Sequence, residues 1–66
     1  MTKISLNGRE TQTSSRTIED LLHEVEAPEK GVAVARNESV VRRSDWPGTP
    51  LENGDKIEII RAVQGG

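Results

Sequence analysis

Gly65 and Gly66 close the sequence, and they are the residues whose type and spacing most readily support chemistry. Lacking Cβ atoms, two successive glycines make the thinnest polypeptide there is. An extended segment 63–66 could reach about 13 Å into a narrow site on another protein. A terminal carboxylate, with a reference pKa of about 3.3–3.7, is ionised at neutral pH and inert toward nucleophiles until a good leaving group is attached. Adenylation by ATP would supply one. The plain alternative is a frayed tail.

Other candidates are weaker. His23 is the only imidazole, and on a helix it points away from the apolar stripe formed by Ile18, Leu21, Leu22 and Val25, which is the place of a solvated residue without a catalytic partner. Glu19, Glu24 and Glu26 read as a solvated helix face. Arg36, Arg42, Arg43 and Arg61 either converge on an anionic partner surface or provide solubilising edge charge, with Arg61 the best placed for function. Trp46 reads as a loop anchor rather than a ligand-binding ring. Ile60 and Ala62 are apolar where strand alternation predicts solvent, so they mark either a bulge or an exposed docking patch.

Composition narrows the field. The chain has 66 residues and a formal net charge of −2, with 9 Lys and Arg against 11 Asp and Glu, so no broad cationic surface favours nucleic acid. Without cysteine there is no disulfide, thiolate nucleophile or thiolate metal site, and a lone histidine builds no multi-histidine site, so no metal is expected. Neither a signal peptide nor a membrane span is visible, and the expectation is a cytoplasmic, monomeric protein of one domain over residues 1–66 with a flexible tail at 63–66.

The elements that would position the tail follow from periodicity. Ile4 and Leu6 alternate with polar residues as in a half-buried strand, and Asn7-Gly8 suits a type I′ turn into a polar edge strand at Arg9–Thr13. Thr17 and Asp20 predict a helix start, the stripe from Ile18 to Val25 predicts about three turns, and Pro28 is expected to end them. Val32, Ala33, Val34 and Ala35 read as a strand, Asn37-Glu38 as a turn, and Ser39 to Arg42 as a short return strand. A structured loop anchored by Trp46 and Leu51 leads to the turn Asn53-Gly54 and a last strand at Lys56 to Ile59. This order gives an α+β arrangement, with the first and last strands as parallel central neighbours.

The chain resembles the ThiS family, the ubiquitin-like sulfur carriers of thiamine biosynthesis, over nearly its whole length. The matching pieces are Leu6-Asn7-Gly8, Thr17-Ile18-Glu19-Asp20-Leu21-Leu22, Val34-Ala35-Arg36-Asn37, Val41, Arg43, Trp46, Asn53-Gly54-Asp55-Lys56-Ile57-Glu58-Ile59 and Val63-Gln64-Gly65-Gly66. The loop Pro47-Gly48-Thr49-Pro50 departs from the pattern. The resemblance implies a β-grasp (ubiquitin-like) fold, a mixed sheet of about five strands packed on one main helix. It also implies a protein cosubstrate rather than an enzyme, binding no cofactor of its own. An E1-like adenylating enzyme, using ATP and magnesium (Mg), would convert Gly66 to an acyl-adenylate. A sulfur donor protein carrying a persulfide would then supply sulfur for a thiocarboxylate, and thiazole synthase would consume it. Gly65 would permit the close approach, Val63 and Gln64 would help dock the tail, and Ile60, Arg61 and Ala62 would be secondary contacts. A chain without cysteine has its natural acyl-sulfur site at such an end.

Three other readings share features with this one. The small subunit of molybdopterin synthase has the same fold and Gly-Gly end, but the absence of Phe and Tyr argues against it. A ubiquitin-like modifier would link Gly66 to lysines of other proteins, and a simple interaction domain would leave the tail inert.

Overall fold

The alternation of Ile4 and Leu6 becomes strand β1 (Thr2–Leu6), which returns as β2 (Arg9–Thr13) in register from Leu6 opposite Arg9 to Thr2 opposite Thr13. Asn7 and Gly8 take φ of 51° and 81°, the two left-handed values that a type I′ turn requires. The computed structural model describes residues 1–28 and 30–61. The expected tail at 63–66 therefore lies outside the described residues.

Helix α1 (Ile18–Glu24) starts where the capping residues place it, with Thr17 Oγ1 accepting from the Asp20 amide at 3.1 Å. It ends earlier than the proline signal implies. Val25 is the C-cap, Glu26 turns left-handed at φ 58°, and the amides of Glu26 and Ala27 donate back to His23 O and Leu22 O at 3.1 and 2.9 Å. This is a Schellman closure that uses glutamate where glycine is usual, and for that reason the sequence does not advertise it.

Strands β3 (Val32–Arg36) and β4 (Ser39–Val41) form a second hairpin, again with a two-residue turn, Asn37 at φ 51° and Glu38 at φ 72°. Part of the expected loop is a 3-10 helix, Arg43–Gly48, which drops the Trp46 ring into the core while its indole N–H donates to Val41 O at 3.1 Å. Leu51 anchors the rest, and a bridge between Thr17 and Pro50 ties the loop to the start of α1.

The last strand, β5 (Lys56–Arg61), lies between β1 and β3 in a sheet of order β2-β1-β5-β3-β4. It runs parallel to β1 and antiparallel to β3. Ile4, Val34 and Ile57 from the sheet meet Ile18, Leu21 and Leu22 from α1, with Trp46 and Leu51 closing the side, so the core is aliphatic apart from one indole. A five-stranded mixed sheet grasping one helix in this order is the β-grasp fold.

One carboxylate is buried beneath the start of β5. Asp55 is 5% exposed and accepts from Arg36 Nε at 2.9 Å, Asn37 Nδ2 at 3.1 Å and the Glu52 amide at 2.9 Å. Burial acts to raise its pKa, but the hydrogen bonds from Arg36, Glu52 and Asn37, with the Arg36 charge, outweigh that and hold it below the usual carboxylate value. A carboxylate depressed in the folded state stabilises fully above its unfolded pKa of about 3.9 and loses that contribution as pH falls through the folded value.

Asp55→Asn should therefore lower unfolding free energy at pH 7 by about 2 kcal/mol, with the difference from wild type shrinking below about pH 4. Urea titrations at both pH values check this; a gap that widens in acid contradicts it. Glu38→Gly, which gives the second hairpin the residue that the first one has at Gly8, should raise the urea midpoint at unchanged slope, equivalent to about 0.5–1 kcal/mol.

Candidate functional site

The last described strand, β5, lies at the centre of the sheet. Ile57 is fully buried and Ile59 half-buried toward the core, whereas Ile60 is 57% exposed and Arg61 is exposed at the end of β5. Pairing with β3 runs without interruption from Ile57 opposite Arg36 to Arg61 opposite Val32. There is accordingly no bulge in this stretch, and Ile60 faces outward by ordinary alternation. Of the two readings open for Ile60, the exposed patch is the one found. Ala62, Val63, Gln64, Gly65 and Gly66 lie outside the described residues.

Ile60 is not alone on the open face. Residues directly opposite one another in a sheet share a face, which places Ala33 beside Ile60 and Val40 beside Ala35. Val40 is 79% exposed, so Ile60, Ala33 and Val40 present an apolar surface on the side of the sheet away from α1. Glu58, opposite Ala35, sits on that same face. Ala33 and Val40 escape sequence reasoning because their membership depends on register. Val40-Val41, two successive apolar residues in a short strand, is the one available signal.

The four arginines do not converge. Arg36 is held by Asp55 at 2.9 Å with Glu52 at 3.7 Å. Its position opposite Ile57 is at the far end of β5 from Arg61. Arg42 and Arg43 are exposed around the start of the 3-10 helix. Only Arg61 adjoins the segment leading to the tail.

His23 is exposed, as expected, and it lines an open groove of about 230 Å³ between α1 and the 3-10 helix, with Glu19, Leu22, Arg43 and Trp46. No hydrogen bond joins His23 to Glu19 among the described residues. Glu24 departs from a merely solvated role: Ser15 Oγ donates to its carboxylate at 2.6 Å and Thr13 Oγ1 donates as well, and these bonds hold its pKa below the usual range. The effect is to fasten the end of α1 to the segment that precedes it. Among the described residues no three His, Asp or Glu side chains gather to hold a metal, and no helix is long and apolar enough to cross a membrane.

The turn asparagines also act on β5. Asn7 Oδ1 accepts from the Ile59 amide at 2.8 Å and its Nδ2 donates to Ile59 O at 3.3 Å. Asn37 Oδ1 accepts from the Lys56 amide at 2.8 Å. Sequence reasoning identifies both as turn residues and misses the grip, since nothing local shows which strand a turn will face.

Comparison with known proteins agrees with this geometry. The model of the ThiS family matches residues 4–66. The sulfur carrier protein ThiS of Thermus thermophilus is 36% identical over 61 residues, covering 92% of this chain and 95% of that one. The thiazole synthase of Paramagnetospirillum magneticum is 38% identical over 65 residues, 97% of this chain but only 20% of that much longer protein. In fold, the crystal structure of the thiamine biosynthesis protein ThiS from Geobacter metallireducens superposes with a TM-score of 0.83 at 22% identity, over 98% of this chain and 100% of that one.

Because Ile60 and Val40 touch solvent rather than core, Ile60→Thr and Val40→Thr should each change unfolding free energy by no more than about 0.5 kcal/mol. A loss beyond about 2 kcal/mol in either variant, measured by urea denaturation, would show that the chain covers this face itself.

Proposed function

The chain belongs to the ThiS family, and on that premise we propose that it is a sulfur carrier of thiamine biosynthesis whose Gly66 carboxylate is activated and converted to a thiocarboxylate. The observation that carries the reading is the family match reaching residue 66, so that segment 63–66 falls inside it. The chain is then a cosubstrate that other enzymes act upon.

The chemistry follows from what a carboxylate lacks. Its two oxygens share the negative charge and neither is a leaving group, so attack at carbon is blocked until one oxygen is bound to phosphorus. A Gly66 oxygen attacks the α-phosphorus of ATP, pyrophosphate departs, and the acyl-adenylate forms on the partner enzyme, whose magnesium serves the nucleotide. A persulfide sulfur from a donor protein adds to the acyl carbon and AMP leaves. A thiol then cleaves the sulfur–sulfur bond, leaving the thiocarboxylate on Gly66 and a disulfide on the donor side. The thiocarboxylate sulfur then attacks a carbonyl substrate held by a thiazole synthase; the acyl carbon–sulfur bond breaks as that carbon takes up an oxygen from the substrate or from water, which returns the carboxylate.

Each part of this chain has a task in the sequence of steps. Gly65 and Gly66 present no side chain to a channel that must also admit a nucleotide. Val63 and Gln64 dock against its walls, and Ala62 joins Ile60 and Arg61 where the tail meets the body. The apolar face of Ile60, Ala33 and Val40 gives a partner enzyme a surface to press on beside the tail. A segment like this chain within a much longer thiazole synthase supports the synthase as recipient, because the two would work on one another.

The test is the intact mass of the purified chain after incubation with ATP, the cognate adenylating enzyme and a persulfide source. The expected product is one species heavier by the replacement of one oxygen with sulfur; covalent attachment to other proteins instead would indicate a modifier. Gly65→Val should lose roughly a hundredfold in ATP–pyrophosphate exchange while its melting curve is unchanged, since the buried core lies between Ile4 and Ile57. Normal exchange by that variant would rule out the threaded-tail mechanism.

A further inference from the structure

The Asn7 side chain does more than its hairpin turn requires. The parallel ladder between β1 and β5 includes the Ser5 amide donating to Asp55 O at 2.8 Å and the Asn7 amide donating to Ile57 O at 2.9 Å. At Gly8 the chain then swings away to make β2, and β1 has no more backbone to offer. A carboxamide supplies the next rung: Asn7 Oδ1 accepts from the Ile59 amide and Asn7 Nδ2 donates to Ile59 O. With its acceptor and donor on the same side of one plane, the carboxamide meets both the N–H and the C=O of Ile59, a pairing that would take two separate peptide groups of a neighbouring strand.

We infer that Asn7 is a positioning residue for the chemistry at Gly66, because its clasp on Ile59 fixes the root and direction of the tail; this rests on the sulfur-carrier reading. On its other edge β5 pairs with β3 as far as Arg61. With the clasp, β5 is gripped on both edges up to Ile59; without it, the grip on the β1 edge stops at Ile57 and residues 58–61 are held by β3 alone. A root held on both edges keeps one direction, which raises the effective concentration of Gly66 at a site the partner docks nearby.

Asn37 provides a comparison within the same molecule. It occupies the equivalent turn position at the same φ of 51° and also grips β5, but at Lys56, the end remote from the tail. Glycine takes left-handed φ freely, so both Asn7→Gly and Asn37→Gly keep the turn; the first removes the clasp on Ile59, and the second removes the grip on Lys56 together with one of the hydrogen bonds to Asp55.

The experiment measures ATP–pyrophosphate exchange by the cognate adenylating enzyme against varied concentrations of the full chain, at a temperature where circular dichroism shows both variants folded. Asn7→Gly should lose about tenfold in kcat/KM and Asn37→Gly less than about twofold. Amide hydrogen exchange is the second readout. Asn7→Gly should speed exchange at Ile59 by about tenfold and leave Lys56 unchanged, and Asn37→Gly should do the reverse. Equal losses of activity in both variants, or none in Asn7→Gly, would overturn the positioning role. A wild-type Ile59 amide exchanging as fast as an unpaired one would overturn the clasp whatever the enzyme does. Wild-type chain that supports no pyrophosphate exchange would overturn the sulfur-carrier reading, and the role at Gly66 with it, while the amide result stood independently.

Discussion

Parallel strands cannot be joined by a hairpin, so the pairing of β1 with β5 obliges everything between Leu6 and Lys56 to be accommodated elsewhere before the chain returns to the centre of its own sheet. That constraint organises the molecule. The helix crosses one face and buries it, β3 and β4 extend the sheet beyond the returning strand, and the other face is left to solvent. Because β5 is also a central strand, Arg61 at its end is rooted in the most heavily supported part of the fold. Under the proposed reaction at Gly66 that arrangement is an advantage, because a segment leaving an edge strand or a loop would have a root free to wander.

The support for β5 is mostly polar and comes from turns. Asp55 is tolerated beneath the strand because Arg36, Asn37 and the Glu52 amide satisfy it; an unpaired carboxylate at that depth would be neutral or the fold would be lost. The same network takes Arg36 out of consideration as a partner contact. Charge that sequence inspection would assign to recognition is here spent on holding the strand in place.

Much of the architecture is legible in the sequence because local chemistry decides it. Asn7-Gly8 can do little but make a tight hairpin, Thr17 with Asp20 marks a helix start, and the alternation of Ile4 with Leu6 and of Ile57 with Ile59 identifies the two central strands. The misreadings share a cause, which is tertiary context overriding a local rule. The helix closes on Glu26 in a conformation that favours glycine, the 3-10 helix exists because Trp46 has a core to enter, and Glu24 finds the hydroxyls of Thr13 and Ser15 only once the chain has folded back. At the candidate site, Ile60 could be singled out from alternation alone, whereas Ala33 and Val40 join it through register, and the reach of Asn7 to Ile59 depends on strands 52 residues apart in sequence.

Trp46 carries a further consequence. It is the only fluorophore absorbing above the peptide bands, since the chain has neither Tyr nor Phe, and its indole is seated at the seam between α1 and the 3-10 helix, bonded to the Val41 carbonyl. Its emission therefore reports whether that seam is dry and intact. The molecule thus comes with a built-in optical gauge of its own integrity.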